Sequence, residues 1–218
     1  MGEKIDIREG ELDAHVDLAL TWINSGFIIV APLENSYVFL VDAFLHDGVR
    51  AMHVLRGDDL GVAAQVLVSG IKTLEGIVRE ISDDVRILIG EYWPGQLSLL
   101  LPPHVGLNWD LGDDKELDEI CVRTPNSEFV LALLKKSGPL AVASASRAGH
   151  APMLDPDFIS ALDSDLAGIF HIGELTSGQV STLVRADQTT LIMVREGAIS
   201  FDELAAKVPA IEREAIGA

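Results

Sequence analysis

The stretch ELDAHVDLALTWIN-SG-FIIVAP limits the fold more than any other part of the chain. Residues 11–24 carry apolar side chains at 12, 16, 19, 20 and 23, which is the spacing of one helix face. Ser25-Gly26 ends that pattern. FIIVAP (27–32) then runs apolar without alternation until a proline stops it. A continuous β-branched run is what a strand needs when both of its faces are covered. A helix leading directly into such a strand forces a layered arrangement of helices on a sheet.

The rest of the chain repeats this alternation. YVFLVDAF, QVLVSG (65–70), RILIG (86–90), LSLLLPP (97–103) and ICVRTP (120–125) read as strands, with the turn WPGQ joining the third and fourth. PLAVASAS, STLVRAD and TLIMVREG add three more. Helices are expected over KTLEGIVREI (72–81), over SEFVLALLKKSG (127–138) with Ser127 as N-cap and Gly138 as stop, over DPDFISALDSDL (155–166), and over ISFDELAAKV (199–208). Interleaved strands and helices predict an α/β (α+β) fold, a sheet with covering helices. No Pro/Gly/Ser linker divides the 218 residues, so 1–218 reads as a single domain with no C-terminal extension domain.

Charge narrows the partners. Thirty-four acidic residues face sixteen basic ones, a net charge of −18. Such a field repels phosphate backbones, so broad nucleic-acid binding is disfavoured; a local basic pocket can still hold a small anion. The single cysteine, Cys121, excludes an internal disulfide and points to a reducing, cytoplasmic setting, where it reads as a buried inert thiol. No apolar run is long enough to cross a bilayer. The histidines are dispersed, so no protein-built metal site is expected.

Several landmarks then occur in a fixed order: PLENSYVF, LRGDD before QVLV, WPGQLSLLL, VRTP, GPLAVASASRAG, STLVRAD and IMVREG. In this order the chain resembles the YrdC family (with YciO and TsaC) over roughly residues 10–206. The resemblance implies a threonylcarbamoyl-AMP synthase: ATP (with Mg2+), bicarbonate and L-threonine give threonylcarbamoyl-AMP and pyrophosphate, for tRNA threonylcarbamoyladenosine. It implies a twisted mixed sheet flanked by helices around a concave ligand pocket, and an enzyme of the nucleotidyltransferase type with small-molecule partners. The family lacks a Walker loop, as does this chain, so side chains and turn N–H groups must hold the phosphates.

Carried over position by position, the resemblance places Arg56, Asp58, Ser144, Ser146, Arg147 and Arg195 at the nucleotide. It places Asn35, Tyr37, Arg123, Ser181 and Thr182 at the amino acid. The chain also departs from the pattern. Leu33 and Asn35 replace threonines and Val38 a glycine. Arg56-Gly57-Asp58 stands for Lys-x-Arg, with His53 and Arg56 as an alternative pair. Ser146 replaces an asparagine and Ala148 a serine, while Arg147 is an added cation. Asp58 and Arg185 both reverse the family's charge, which raises the expectation that they face each other or a shared ligand. Asp58 is also a candidate magnesium contact through the nucleotide. A competing reading follows: a degenerate or repurposed relative that binds a nucleotide, an anion or a partner. Double-stranded RNA binding, ascribed to the family, conflicts with the charge. A homodimer is compatible with the sequence.

Overall fold

The computed structural model describes residues 3–113, 118–159 and 166–214. Eleven strands form one mixed sheet: β1 (Glu3–Asp6), β2 (Ile28–Pro32), β3 (Tyr37–Asp42), β4 (Gln65–Leu67), β5 (Leu97–Leu101), β6 (Ile120–Arg123), β7 (Leu140–Ser144), β8 (Leu166–His171), β9 (Thr182–Ala186), β10 (Leu191–Arg195) and β11 (Glu212–Arg213). Their spatial order is β1-β8-β2-β3-β7-β4-β6-β5-β9-β10-β11. β2 pairs parallel with β8 and antiparallel with β3, and β7 pairs antiparallel with both β3 and β4. β2 and most of β3 are buried along their length, as their unbroken apolar sequence requires.

Among the described residues six helices cover the sheet unevenly. α1 (Leu12–Asn24) and α5 (Glu128–Ser137) lie side by side on one face. Val16, Ala19 and Ile23 from α1 and Phe129, Val130, Leu133 and Leu134 from α5 pack on Ile29, Ala31, Val38, Leu40, Leu67, Val142 and Phe170. The opposite face carries α2 (His46–Arg56), α3 (Ile71–Glu75), α4 (Asp83–Tyr92) and α6 (Phe201–Lys207). Met52, Leu74, Leu88 and Leu204 from these helices join a larger core with Leu97, Leu99, Ile120, Val122, Val184 and Met193.

Strand side chains alternate between faces. The partners of that larger core therefore leave Ser98, Leu100, Cys121, Arg123, Leu183 and Arg185 on the other face. There, β5, β6 and β9 contribute nothing to the core under α1 and α5. The face buried under two helices on one half of the sheet is left uncovered on the other half, among the described residues.

Four sequence expectations change. RILIG is no strand. It belongs to α4, which starts at Ser82, whose hydroxyl accepts from Val85 N, and buries Val85, Leu88 and Ile89 at helical spacing. The Trp93–Pro94 turn, whose peptide bond is cis, therefore joins a helix to β5. The helix expected over 72–81 stops at Glu75. The helix expected over 155–166 is a single 3-10 turn at Pro156–Phe158, and its residues 160–165 lie outside the described residues. α2, β1 and β8 have no counterpart in the sequence reading. Only Gly48, Val49 and Met52 of α2 are buried, and a Cβ at Gly48 would lie 2.6 Å from Val41 Cγ2. α2 is thus held by close approach to β3 rather than by a broad apolar stripe.

Candidate active site

The open face meets three connections: the β2–β3 turn, the β6–α5 turn and the β7 exit loop. The first two are tied together. Ser127 caps α5 and also donates to Pro32 O at 3.0 Å. Asn126 N donates to Glu34 Oε1 at 2.7 Å. Arg123 lies between them, 8% exposed, with Nη2 2.5 Å from Glu34 Oε1 and Nε donating to Gly95 O at 2.7 Å. Burial by itself would raise the Glu34 carboxyl, but the Arg123 charge and the Asn126 N–H hold it below its ordinary value.

Near this pair in the chain, three buried polar atoms lack a hydrogen-bond partner among the described residues: Glu34 Oε2, Gln96 Oε1 and Thr124 Oγ1. Gly95 N donates to Thr124 O, which brings the Gln96 and Thr124 positions next to Arg123. Unsatisfied buried polar groups are rare in folded chains, and a group of them beside a guanidinium marks a place built for a polar ligand.

Further across the same face, Gln65 Nε2 donates to Ser98 Oγ at 2.8 Å, and Ser98 Oγ donates to Ser181 Oγ at 2.9 Å. Arg195 closes the row, with Nη2 3.0 Å from Ser181 O. Cys121 sits within reach of Gln65, and burial pushes its thiol up to about 11, in keeping with an inert side chain.

The β7 exit loop forms the third part. Ser144 Oγ and Ser146 Oγ lie 2.8 Å apart. One hydroxyl donates to the other, which leaves one proton for an outside acceptor. Arg147 is exposed at the mouth of a cavity of about 750 Å³ that Phe39, Leu55, Met153 and Leu154 also line.

The structure corrects several expectations. Arg56 and Asp58 are not a free phosphate-binding pair. Arg56 Nε donates to both Asp58 oxygens at 3.1 and 2.9 Å, and Nη1 donates to Ser144 O at 2.6 Å. Asp58 also meets His53 Nδ1 at 2.8 Å, so its oxygens are occupied and it does not fit a magnesium contact. His53 and Arg56, the alternative cation pair, are both turned onto Asp58 instead. Asp58 and Arg185 do not pair: Arg185 binds Glu119 and Glu214.

Thr182 is fully buried, and its hydroxyl is used up by Ile199 O, Gly197 N and Ile199 N. Tyr37 is equally buried; its hydroxyl donates to Gly173 O and accepts from Ile172 N, and burial raises its pKa. Both hydroxyls fasten loop backbone. Asn35 Nδ2 is spent on Gln179 O. Leu33 and Val38 face the core under α1 and α5.

Sequence reasoning missed Gln65, Gln96, Thr124 and the partnership of Glu34 with Arg123. One signal was available for this face: a lone polar residue inside an apolar strand, such as Ser98 in LSLLL, marks the uncovered side.

The Sua5/YciO/YrdC family model, described as telomere recombination, matches residues 21–197. A provisionally named threonylcarbamoyl-AMP synthase of Mycobacterium tuberculosis is 33% identical over 184 residues, 84% of each chain. The crystal structure of Pyrococcus abyssi Sua5 complexed with L-threonine superposes with a TM-score of 0.85 at 21% identity, covering 98% of this chain and 62% of that one. Escherichia coli YciO superposes with a TM-score of 0.76 at 20% identity, covering 91% and 97%. The chain therefore spans less than two thirds of the Sua5 chain but nearly all of YciO. A family model that covers most of the sequence, and a fold that matches two of its members, establish that the chain belongs to the Sua5/YciO/YrdC family.

Proposed function

We propose that the open face binds L-threonine and ATP and makes threonylcarbamoyl-AMP. The observation that carries this reading is the group of unpartnered buried polar atoms around Arg123. An amino acid brings a carboxylate, an amine and, in threonine, a hydroxyl. The spot offers a guanidinium, the Glu34 carboxylate and the polar atoms of Thr124 and Gln96. The M. tuberculosis relative and the threonine complex of P. abyssi Sua5 support the same substrate class.

In this reading Arg123 receives the threonine carboxylate. The amine combines with bicarbonate to a carbamate, with loss of water. A carbamate oxygen forms the new bond to the α-phosphorus while the bond to the β-phosphate oxygen breaks and pyrophosphate leaves. No protein nucleophile is required, so the protein acts by positioning and by neutralising charge. Ser144, Ser146, Arg147 and Arg195 are the phosphate-side groups, and Ser181 lies between the two ends. Magnesium, when present, arrives with the nucleotide and offsets phosphate charge. The described residues are taken as one domain because a single sheet runs through them.

Pyrophosphate release that requires ATP, threonine and bicarbonate together tests the proposal. The neutralisation of Arg56 by Asp58 favours one second reading, a relative that binds nucleotide without turnover. ATP binding with no pyrophosphate under any amino acid would select that reading.

A further inference from the structure

The Arg56–Asp58–His53 cluster has no place in the chemistry above, yet it is nearly buried. Side-chain exposures are 17% for Arg56, 7% for Asp58 and 13% for His53. Its outward connections all lead to two stretches of backbone. On one side, Arg56 Nη1 donates to the carbonyls of Ser144 and Ser146, and Arg56 O accepts from Ala148 N at 3.0 Å. On the other, His53 Nε2 reaches Leu111 O at 2.8 Å. A Cβ at Gly112 would come within 2.4 Å of that same nitrogen, so the 110–112 backbone lies directly against the ring.

We propose that His53, Asp58 and Arg56 form a positioning relay that fixes the Ser144–Ala148 loop from behind. The relay takes the place of the two cations that the family pattern would put there. Asp58 aims the guanidinium, His53 anchors Asp58 to the 110–112 backbone, and Arg56 holds two loop carbonyls and so fixes the backbone that carries the paired serine hydroxyls. A fork-shaped cation suits this work because its donors, fixed in one plane, aim at a carboxylate and two carbonyls at once, whereas an ammonium's three donors rotate on a flexible stem. The other charges around His53 are Arg50 on α2, Asp59 after it, and the His46–Asp110 pair. Among the described residues none of these hydrogen-bonds to the loop, so the path to the loop runs through Asp58 and Arg56.

The structural claim stands apart from the proposed reaction; only its kinetic arm rests on that reading. Amide hydrogen exchange at Ala145, Ser146 and Ala148 is measured in the full chain for Asp58→Asn, His53→Gln and Arg56→Lys. Removing a charge-assisted bond should speed exchange at these amides by roughly tenfold or more, with the amides of β2 and β3 unchanged. Arg56→Lys keeps the charge and loses the fork, so it should behave like Asp58→Asn. If Asp58→Asn does not fold, the other two variants are read in the same way.

The kinetic arm measures ATP and threonine separately. A relay behind the phosphate loop predicts a KM for ATP that rises roughly tenfold while the KM for threonine stays within twofold. A purely structural defect would shift both. Loop exchange within twofold of wild type in all three variants would overturn the relay. Faster loop exchange in a protein that makes no pyrophosphate would instead leave the relay standing and remove the proposed reaction.

Discussion

At the residue scale, the pairing of Arg123 with Glu34 has the sharpest consequences. Arg123→Met leaves a buried carboxylate without its counter-charge and should cost about 3 to 5 kcal/mol, read as a lower urea midpoint. Adding Glu34→Gln to that variant should recover at least part of the loss, because no buried charge then remains. The pH dependence has a definite sign. The folded-state pKa of Glu34 lies below the ordinary value of 4.5. Its contribution to stability is therefore complete above pH 4.5 and is lost as the pH falls through the folded value. Glu34→Gln should flatten that acid limb in urea titrations below pH 4.5. Cys121 gives a chemical check: with its thiol pushed up to about 11 from 9.0, alkylation at pH 8 should run roughly a hundredfold slower than for an unperturbed cysteine. Arg123 and Ser144 stood out in the sequence because they interrupt apolar strands. Tyr37 and Thr182 also stood out, yet they turned out to be fasteners, since one sequence cannot tell a hydroxyl aimed at a ligand from one aimed at a carbonyl.

At the element scale, end signals mattered more than periodicity. Ser127 and Ser200 mark helix starts, and both caps form; Ser200 completes a capping box with Glu203. Ser127→Ala should cost about 1 to 2 kcal/mol by thermal unfolding, because the same hydroxyl also holds the β2 end at Pro32. Thr182→Val strands Gly197 N, Ile199 N and Ile199 O and should cost about 3 kcal/mol by the same measurement. RILIG misled because four apolar residues in a row fit a strand and a buried helix turn equally well. Ser82, four residues upstream of Arg86, decides between them. β1 and β8 were invisible for a different reason. EKID and LAGIFH pair parallel across a sequence gap of well over a hundred residues, and neither carries a strong local signal.

At the scale of the whole molecule, the net charge of −18 makes self-repulsion a long-range cost. Raising salt from about 0.01 to 0.15 M shortens the screening length from ~30 to ~8 Å, so the melting temperature should rise over that range. Ligand linkage tests the proposed site in the intact chain. ATP with magnesium at a hundred times its Kd should add about 2.7 kcal/mol, or roughly 5 to 10 °C in a chain of this size. No shift at any ATP concentration would remove both nucleotide readings.

The sequence by itself determined the layered α/β class, the ends of α1, α5 and α6, the central apolar strands and the family. These follow from local periodicity, capping chemistry and the order of motifs, all written within short windows. Tertiary structure alone decided the rest. It left half of one sheet face uncovered, because α1 and α5 span only the strands near β2, β3 and β7. It turned Arg56 inward onto Asp58 and the loop carbonyls, and it set Arg123 beside Glu34, 89 positions away in a sequence that records no distances. Whether a charged side chain meets a ligand or another residue depends on which distant backbone arrives beside it, and no single window of the chain contains that information.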